Sequence, residues 1–169
     1  MSKFDFSLNV EAEGHVECWD RLCLSMSLRR LAVSQYGNYN FDGLVEMNGV
    51  YLAFSKDGIY ALEGDDDDGE PIQALFEFMT DMGSERQKRL RSCYLGCEAD
   101  GNLRLVLQND EGNVREYTLA CKPTQHSVRT AVGRSGRGRY WTFTVENVDG
   151  CCFCVDTVDA VVTVMRRKP

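Results

Sequence analysis

The sequence has few prolines, few histidines and no long apolar run. Its 169 residues include three prolines and two histidines. No window approaches the roughly 20 apolar residues that a membrane-spanning helix needs. Residues 1–14 lack a basic region followed by an apolar run. We therefore expect no flexible linker, no export signal and no membrane anchor.

Positive charge is also in deficit, with 19 Lys and Arg against 26 Asp and Glu and a formal net charge of −7. A polyanion would be repelled by this chain except at a local basic patch. We therefore expect its partners to be proteins rather than nucleic acid. Hydrophobic residues make up 43% of the sequence. That share and the length indicate one folded domain rather than a disordered chain.

Eight cysteines are present. In a chain without a visible leader they indicate a reducing cytosol, where thiols stay free and behave as small hydrophobic groups. Cys93 and Cys97 form C-x3-C, and Cys152 and Cys154 form C-x-C. Neither is the C-x2-C knuckle of structural zinc sites, and histidines are scarce. We predict free thiols, no disulfide scaffold, no metal site and no cofactor.

Tight turns are the most regular feature of the sequence. Asn-Gly, Asp-Gly and Glu-Gly pairs supply the positive φ that hairpin turns require. They occur at 48–49, 57–58, 68–69, 100–101, 111–112 and 149–150. Between them lie short runs with a period of two, such as Leu103, Leu105 and Leu107, which predict an antiparallel meander. Residues 158–165 are nearly continuous in β-formers and predict a strand buried on both faces, and only 84–91 has the composition of a helical turn.

These patterns predict an all-β chain with one antiparallel β-sandwich or jelly-roll-like domain over residues 35–169. Residues 1–34 form an extended arm or an edge strand, in which Leu22, Leu24, Met26 and Leu28 alternate with smaller polar residues. An alternating strand without an obvious hairpin partner is incomplete alone, so we expect this arm to reach a neighbouring subunit.

Two basic groups stand out in the acidic chain and are the candidate interface residues. They are Arg134, Arg137 and Arg139 in a glycine-rich segment, and Arg86, Lys88 and Arg89 before a predicted strand. The first lacks the phosphate-binding G-x4-G-K-[ST] pattern. We expect both groups to meet acidic surface on this chain or on a neighbouring subunit. Single-stranded nucleic acid stacked on Tyr140 and Trp141 is the weaker alternative.

The acidic loop 63–71 contains four successive aspartates, Asp65 to Asp68. Its spacing does not match an EF-hand, which favours a solvated turn, although a weakly bound cation stays open. Neither a G-x-S-x-G elbow nor a supported Cys-His pair is present, so no catalytic residue is assigned and the chain is not expected to be an enzyme.

Three cysteines at 151, 152 and 154 follow the turn at Asp149 and Gly150. Alternation sends Cys151, with the later Phe153 and Val155, to one face of a strand and Cys152 and Cys154 to the other. Residues two apart on a strand lie about 6–7 Å apart, too far for a disulfide between Cys152 and Cys154. We predict that Cys151 fills the core and that the other two thiols lie on the less apolar face.

An ordered series of short motifs between residues 35 and 169 resembles a region of tail-associated virion proteins of tailed bacteriophages. The matching stretches are YNFD (39–42), NGVYLA (48–53), DGIYALEGDDDDGEPI (57–72), KR (88–89), YLG (94–96), DG (100–101), RYWTF (139–143), NVDG (147–150), Phe153, Asp156 and RR (166–167). In larger relatives this region looks like a C-terminal module after a long β-rich stalk, whereas here residues 1–34 precede it. The resemblance implies no family-wide metal site at the three cysteines.

What the resemblance implies is a non-enzymatic virion structural protein, most simply of the tail or its tip, assembled in the bacterial host cytoplasm. Its partners would be other virion proteins and copies of itself in a symmetric assembly. One alternative is a carbohydrate- or receptor-binding module that uses Tyr140 or Trp141 as a stacking platform. Another is a capsid decoration or head-to-tail connector protein, which the sequence does not separate from a tail role.

Overall fold

The computed structural model describes residues 23–29, 31–133 and 136–165. All regular elements in these ranges are β-strands, which confirms the predicted all-β class. The chain divides into two compact units, residues 1–64 and 65–169. The boundary predicted from sequence is at 34/35 instead, because the strands after the arm all have the pattern of one sandwich.

The first unit contains two small antiparallel sheets. A hairpin pairs the first two strands, and a three-stranded sheet has the order β3-β4-β5. The strands are β1 (Cys23–Met26), β2 (Val33–Tyr36), β3 (Gly43–Met47), β4 (Val50–Ser55) and β5 (Gly58–Ala61). The segment predicted to lack a hairpin partner therefore has one, since β2 returns along β1 with Met26 opposite Val33. Residues 1–22 of the predicted arm lie outside the described residues.

Local sequence explains the three-stranded sheet. Asn48 and Gly49 have φ of 53° and 85°, the left-handed pair that a tight hairpin needs, so β3 and β4 turn where predicted. Opposite Gly43, the ring of Phe54 occupies the space where a Cβ would stand. The bare glycine of one strand is thus covered by an aromatic ring from the next.

The second unit is a β-sandwich. Sheet I has the order β11-β10-β14-β8, while Sheet II is built on β9, which pairs with β15 along its length and with β12 and β13 over separate parts. The strands are β6 (Asp66–Asp67), β7 (Glu70–Pro71), β8 (Leu75–Thr80), β9 (Lys88–Ala99), β10 (Asn102–Asn109), β11 (Val114–Ala120), β12 (His126–Ala131), β13 (Arg137–Gly138), β14 (Trp141–Asn147) and β15 (Phe153–Val164). The short pair β6-β7 forms a separate hairpin.

Alternating residues of the two sheets meet in one core. Leu103, Leu105 and Leu107 share one face of β10, as their alternation predicts, and are buried against inward residues of β9 and β14. The rings of Phe78 and Phe143 stack at 5.2 Å between centroids, with an interplanar angle of 4°. Each fully buried Leu or Phe contributes about 1.5–3 kcal/mol. This core stabilises the second unit.

The predicted meander is wrong at two turns. Asp100 and Gly101 connect β9 to β10, and Asp149 and Gly150 connect β14 to β15, so both turns pass from one sheet to the other. Asp149 and Gly150 nevertheless adopt the positive φ expected of the pair, 54° and 74°. Residue type therefore determined the local bend, while the pairing of the flanking strands was decided by the core.

Two further predictions are corrected by β15 and by residues 84–91. β15 has an exposed face, with Val161 47% exposed, rather than two buried faces. A β-bulge at Asp156 shifts its phase, so that Val155 and then Val158 both point to the core. Residues 84–91 form no helical turn, because β9 begins at Lys88 and extends the two-residue alternation of Sheet II.

Candidate functional site

Sheet II brings the two predicted basic groups together. β13 pairs with β9 so that Arg137 lies directly opposite Arg89. Arg86, Arg137 and Arg139 are exposed. The backbone N–H of Arg139 donates to Asp110 Oδ1 at 3.0 Å, which fixes the segment that carries the arginines. Arg134 lies outside the described residues. That these arginines form an interface with a partner stays a prediction.

Lys88 is not a surface cation, although it was assigned to the interface. Its side chain is 0% exposed. The ammonium donates to the carbonyl of Ser84, and to that of Arg86 at 3.2 Å. Lys88 points inward because it stands in phase with Leu90 on the buried face of β9. It therefore stabilises the turn before β9 and is unavailable to a partner.

Trp141 and Tyr140 separate as the alternation of β14 requires. Trp141 is 2% exposed and lies in the core, so it cannot serve as a stacking platform. Tyr140 is 38% exposed and lines a shallow pocket with Met79 and polar side chains. Those polar side chains are Glu77, Gln108, Asn109, Asp110 and Thr142.

The acidic loop and the three clustered cysteines have structural explanations. Asp65 to Asp68 are exposed, and Asp66 Oδ1 accepts a hydrogen bond from Gly69 N at 2.9 Å in the β6-β7 turn. Cys151 packs against the core and donates to the carbonyl of Asn102 at 3.2 Å, whereas Cys152 and Cys154 are exposed. The predicted separation of these thiols between two faces is confirmed.

A different group of side chains has the geometry of a binding site. Cys97, Cys121 and His126 each offer one ligand atom, and these three atoms lie within 4.8 Å of one another. The sulfur atoms of Cys97 and Cys121 are 3.6 Å apart. We call these three residues the thiol–imidazole cluster.

Strand register and a sheet-to-sheet connection position the cluster. Cys97 of β9 and His126 of β12 are directly paired in Sheet II, which puts their side chains on the same face. Cys121 follows β11 of Sheet I, two residues after the buried Leu119. The connection from β11 to β12 therefore brings ligands from both sheets to one point.

Burial and neighbouring groups raise the pKa of Cys97, one of the two thiols of this cluster. Burial raises the pKa of Cys97 to about 12, with smaller upward contributions from the Cys121 sulfur and from the Asp156 carboxylate. Burial alone raises the pKa of Cys93, on the same strand, also to about 12. Both thiols are protonated at neutral pH in the protein as described.

Sequence reasoning missed the cluster because it searched for short spacings between cysteines. The ligands stand in the pattern C-x23-C-x4-H, and the longer interval crosses β10 and β11. Cys93, the C-x3-C partner of Cys97, is also buried in the core but is not one of the three ligands. The short C-x4-H segment from Cys121 to His126 was the available signal, since it holds two strong ligand types.

The first unit carries a second feature, an apolar surface. Among its described residues Ala53 is the one buried apolar side chain, while twelve large apolar side chains are exposed. We call these twelve the first-unit apolar surface: Leu24, Met26, Leu28, Leu31, Val33, Tyr36, Leu44, Val45, Met47, Tyr51, Phe54 and Ile59. Neighbours such as Leu44 and Val45 point to opposite faces of β3, so both faces of its sheet are apolar.

Comparisons with known proteins identify no family. No family model, no curated protein and no solved structure matches the chain. A helix of the length and apolar character needed to cross a bilayer is not found in the part of the chain that the structure describes.

Proposed function

We propose that this chain is a non-enzymatic structural protein that assembles with copies of itself through the first-unit apolar surface. The resemblance noted in the sequence supports a place in the virion of a tailed bacteriophage, in the tail or its tip. In this proposal the second unit is the folded support, and the first unit supplies the contacts between subunits.

The observation that carries the proposal is the difference between exposed and buried apolar groups in the first unit. Small sheets need a covered apolar face for stability. Monomeric proteins rarely expose contiguous apolar patches above a few hundred Å². Ile59 is 75% exposed and Met47 58%. A single flat partner would cover one face of β3-β4-β5 and leave the other apolar.

The proposed occupant is the same unit from further copies of the chain. The outer edges of β3 and β5 are unpaired within the described sheet, which offers backbone donors and acceptors to an identical strand. A head-to-tail contact repeated around an axis uses two different patches of each subunit, so a closed ring can cover apolar residues on both faces of the sheet. Assembly of this kind needs no ligand and no catalytic group.

The experiment is sedimentation velocity and light scattering of the full chain, before and after placing charge on the first unit. The wild type is expected to be a discrete oligomer, and the double variant Val45→Lys, Ile59→Lys a folded monomer. The matched control, Leu75→Lys with Met79→Lys, alters two exposed apolar residues of the second unit and should leave the oligomer intact. A monomeric wild type at micromolar concentration would overturn the proposal.

The virion role has a separate test. Mass spectrometry of particles purified from the phage or prophage that encodes the chain should find it as a stoichiometric component. Image reconstruction then distinguishes a ring in the tail from a shell-lattice position, which would instead indicate capsid decoration. Absence from the particle would contradict the virion role while leaving the self-assembly intact.

One observation favours a second candidate function, glycan binding. The Tyr140 pocket combines an exposed aromatic ring with carboxylate and amide groups, a combination that suits sugar stacking and hydroxyl recognition. A glycan array with the wild type and Tyr140→Ala tests it. Binding that is lost in the variant supports this function, and an array without binding removes it.

A further inference from the structure

We propose that the thiol–imidazole cluster of Cys97, Cys121 and His126 binds a zinc ion that joins Sheet I to Sheet II. Two sulfurs and one imidazole are a ligand set that favours zinc over magnesium or calcium, which prefer oxygen. This inference is independent of the proposed assembly, because it concerns the second unit alone.

The distance between the two sulfur atoms fits a shared tetrahedral metal. With zinc–sulfur bonds of about 2.3 Å, tetrahedral geometry separates two sulfur ligands by about 3.8 Å. The observed separation of Cys97 Sγ and Cys121 Sγ is 3.6 Å. Small side-chain adjustments therefore suffice to accommodate the ion.

Hydrogen bonding leaves one ring nitrogen of His126 available as a ligand. His126 Nδ1 lies 2.8 Å from the carbonyl oxygen of Thr124, and because a carbonyl only accepts, Nδ1 carries the proton. The lone pair of the neutral ring is then on Nε2. That atom is buried and has no hydrogen-bond partner among the described residues. Metal-binding histidines commonly donate their other ring N–H to a carbonyl in this way.

The balance of charge and protons also favours a divalent cation. Binding converts two neutral thiols to thiolates, releases two protons to solvent and leaves the Zn²⁺, two-thiolate, one-imidazole unit neutral. Asp156 adds a negative charge close enough to act on Cys97. Zinc affinity should therefore fall as the pH is lowered, since protons compete for the sulfurs.

Three protein ligands leave a fourth coordination position. A water molecule would complete the tetrahedral set. The inferred role of the ion is a structural cross-link between the two sheets, because the ligands come from β9, from the residue after β11 and from β12. Binding to the folded state alone stabilises it by mass action.

The experiment measures metal in the full chain purified under reducing conditions. Elemental analysis after equilibration with Zn²⁺ and removal of the excess should give one zinc per chain. Substitution by Co²⁺ should give thiolate-to-cobalt charge-transfer absorption and the visible bands of a tetrahedral site. Cys97→Ser, Cys121→Ser and His126→Ala should each lower the affinity at least tenfold.

Two matched thiol controls locate the site. Cys93→Ser removes another buried thiol of β9, and Cys154→Ser removes an exposed one; both should keep stoichiometric metal. If Cys97→Ser does not fold, Cys121→Ser and His126→Ala at partly buried positions still decide the question. Zinc should raise the melting temperature of the wild type but not that of His126→Ala.

Three results would overturn the proposal. The first is a reduced wild-type chain that retains no zinc and gives no cobalt spectrum. The second is metal that is lost in Cys154→Ser but kept in His126→Ala, which would place it at the exposed thiols. The third is a Cys97–Cys121 disulfide that persists under the reducing conditions of the purification. Such a bond would occupy both sulfurs and exclude the metal.

Discussion

Both units are built from strands and tight turns, yet they differ in how many apolar side chains they bury. In the described residues the second unit has a core cluster of thirteen buried side chains, whereas the first buries Ala53. The second unit has two sheets to close on each other, and the first has a hairpin and one three-stranded sheet. Sequence periodicity produces strands in both, but a self-sufficient core requires a second sheet.

The largest expected effect comes from matched truncations of one phenylalanine in each unit. Phe143→Ala removes a buried ring that stacks on Phe78, and it should lower the free energy of unfolding by about 3–5 kcal/mol. Phe54→Ala, at a position 44% exposed in the single chain, should cost less than about 1 kcal/mol in the monomeric Val45→Lys, Ile59→Lys background. Urea denaturation followed by circular dichroism measures both. Equal losses would show that the first unit has a core of its own.

High pH should destabilise the second unit in particular. Burial raises the pKa of Cys93 from 9.0 to about 12, so the folded state favours the protonated thiol. The stabilisation is fully present below pH 9 and is lost as the pH rises towards 12. Unfolding of metal-free protein at pH 8, 9, 10 and 11 should show a steeper decline for the wild type than for Cys93→Ala. Identical slopes would contradict this account.

Lys88 and Arg86 offer a comparison between a buried and an exposed cation two residues apart. Lys88→Ala leaves the carbonyls of Ser84 and Arg86 without their donor, which should cost about 1–3 kcal/mol. Arg86→Ala should change stability by less than about 0.5 kcal/mol. Thermal and chemical denaturation of the two variants measures the difference. If Lys88→Ala left the free energy of unfolding unchanged, the turn before β9 would not depend on the bound ammonium.

The smallest expected difference concerns one turn glycine in each unit. Gly49 and Gly150 both have positive φ, +85° and +74°, so an added Cβ strains the backbone by about 1–2 kcal/mol at either site. At Gly150 that Cβ would also meet Pro71 Cβ at 2.8 Å, whereas nothing lies within 4 Å at Gly49. Gly150→Ala should therefore lower the melting temperature more than Gly49→Ala. The reverse order would show that the Pro71 segment moves freely.

Local features of the fold were predictable from sequence because their causes are local. Asn48 and Gly49 fix a hairpin by backbone preference, and the alternation of Leu103, Leu105 and Leu107 identifies a buried face before any partner is known. The exposed face of β15 was missed because Val161 and Val164, which lie on it, are apolar, so the sequence carries apolar residues on both faces of this strand.

Long-range features were not predictable from one sequence. The turn at Asp100 and Gly101 looks like a hairpin turn, yet it changes sheets because β9 and β10 pack on opposite sides of the core. The thiol–imidazole cluster depends on the same arrangement, since Cys121 reaches Cys97 only when Sheet I closes on Sheet II. A ligand spacing of 23 intervening residues becomes meaningful only when the fold is known.

The pairing of β9 with β15 bears on the order in which the chain can fold. Lys88 pairs with Val164 and Ala99 with Phe153, contacts that span more than fifty residues of intervening chain. On a ribosome, the central strand of Sheet II therefore waits for residues 153–164 to be synthesised before its full-length partner exists. Until then its apolar residues depend on β12, β13 and Sheet I for cover, and a nascent chain stalled within this interval would expose an unpaired edge to its neighbours.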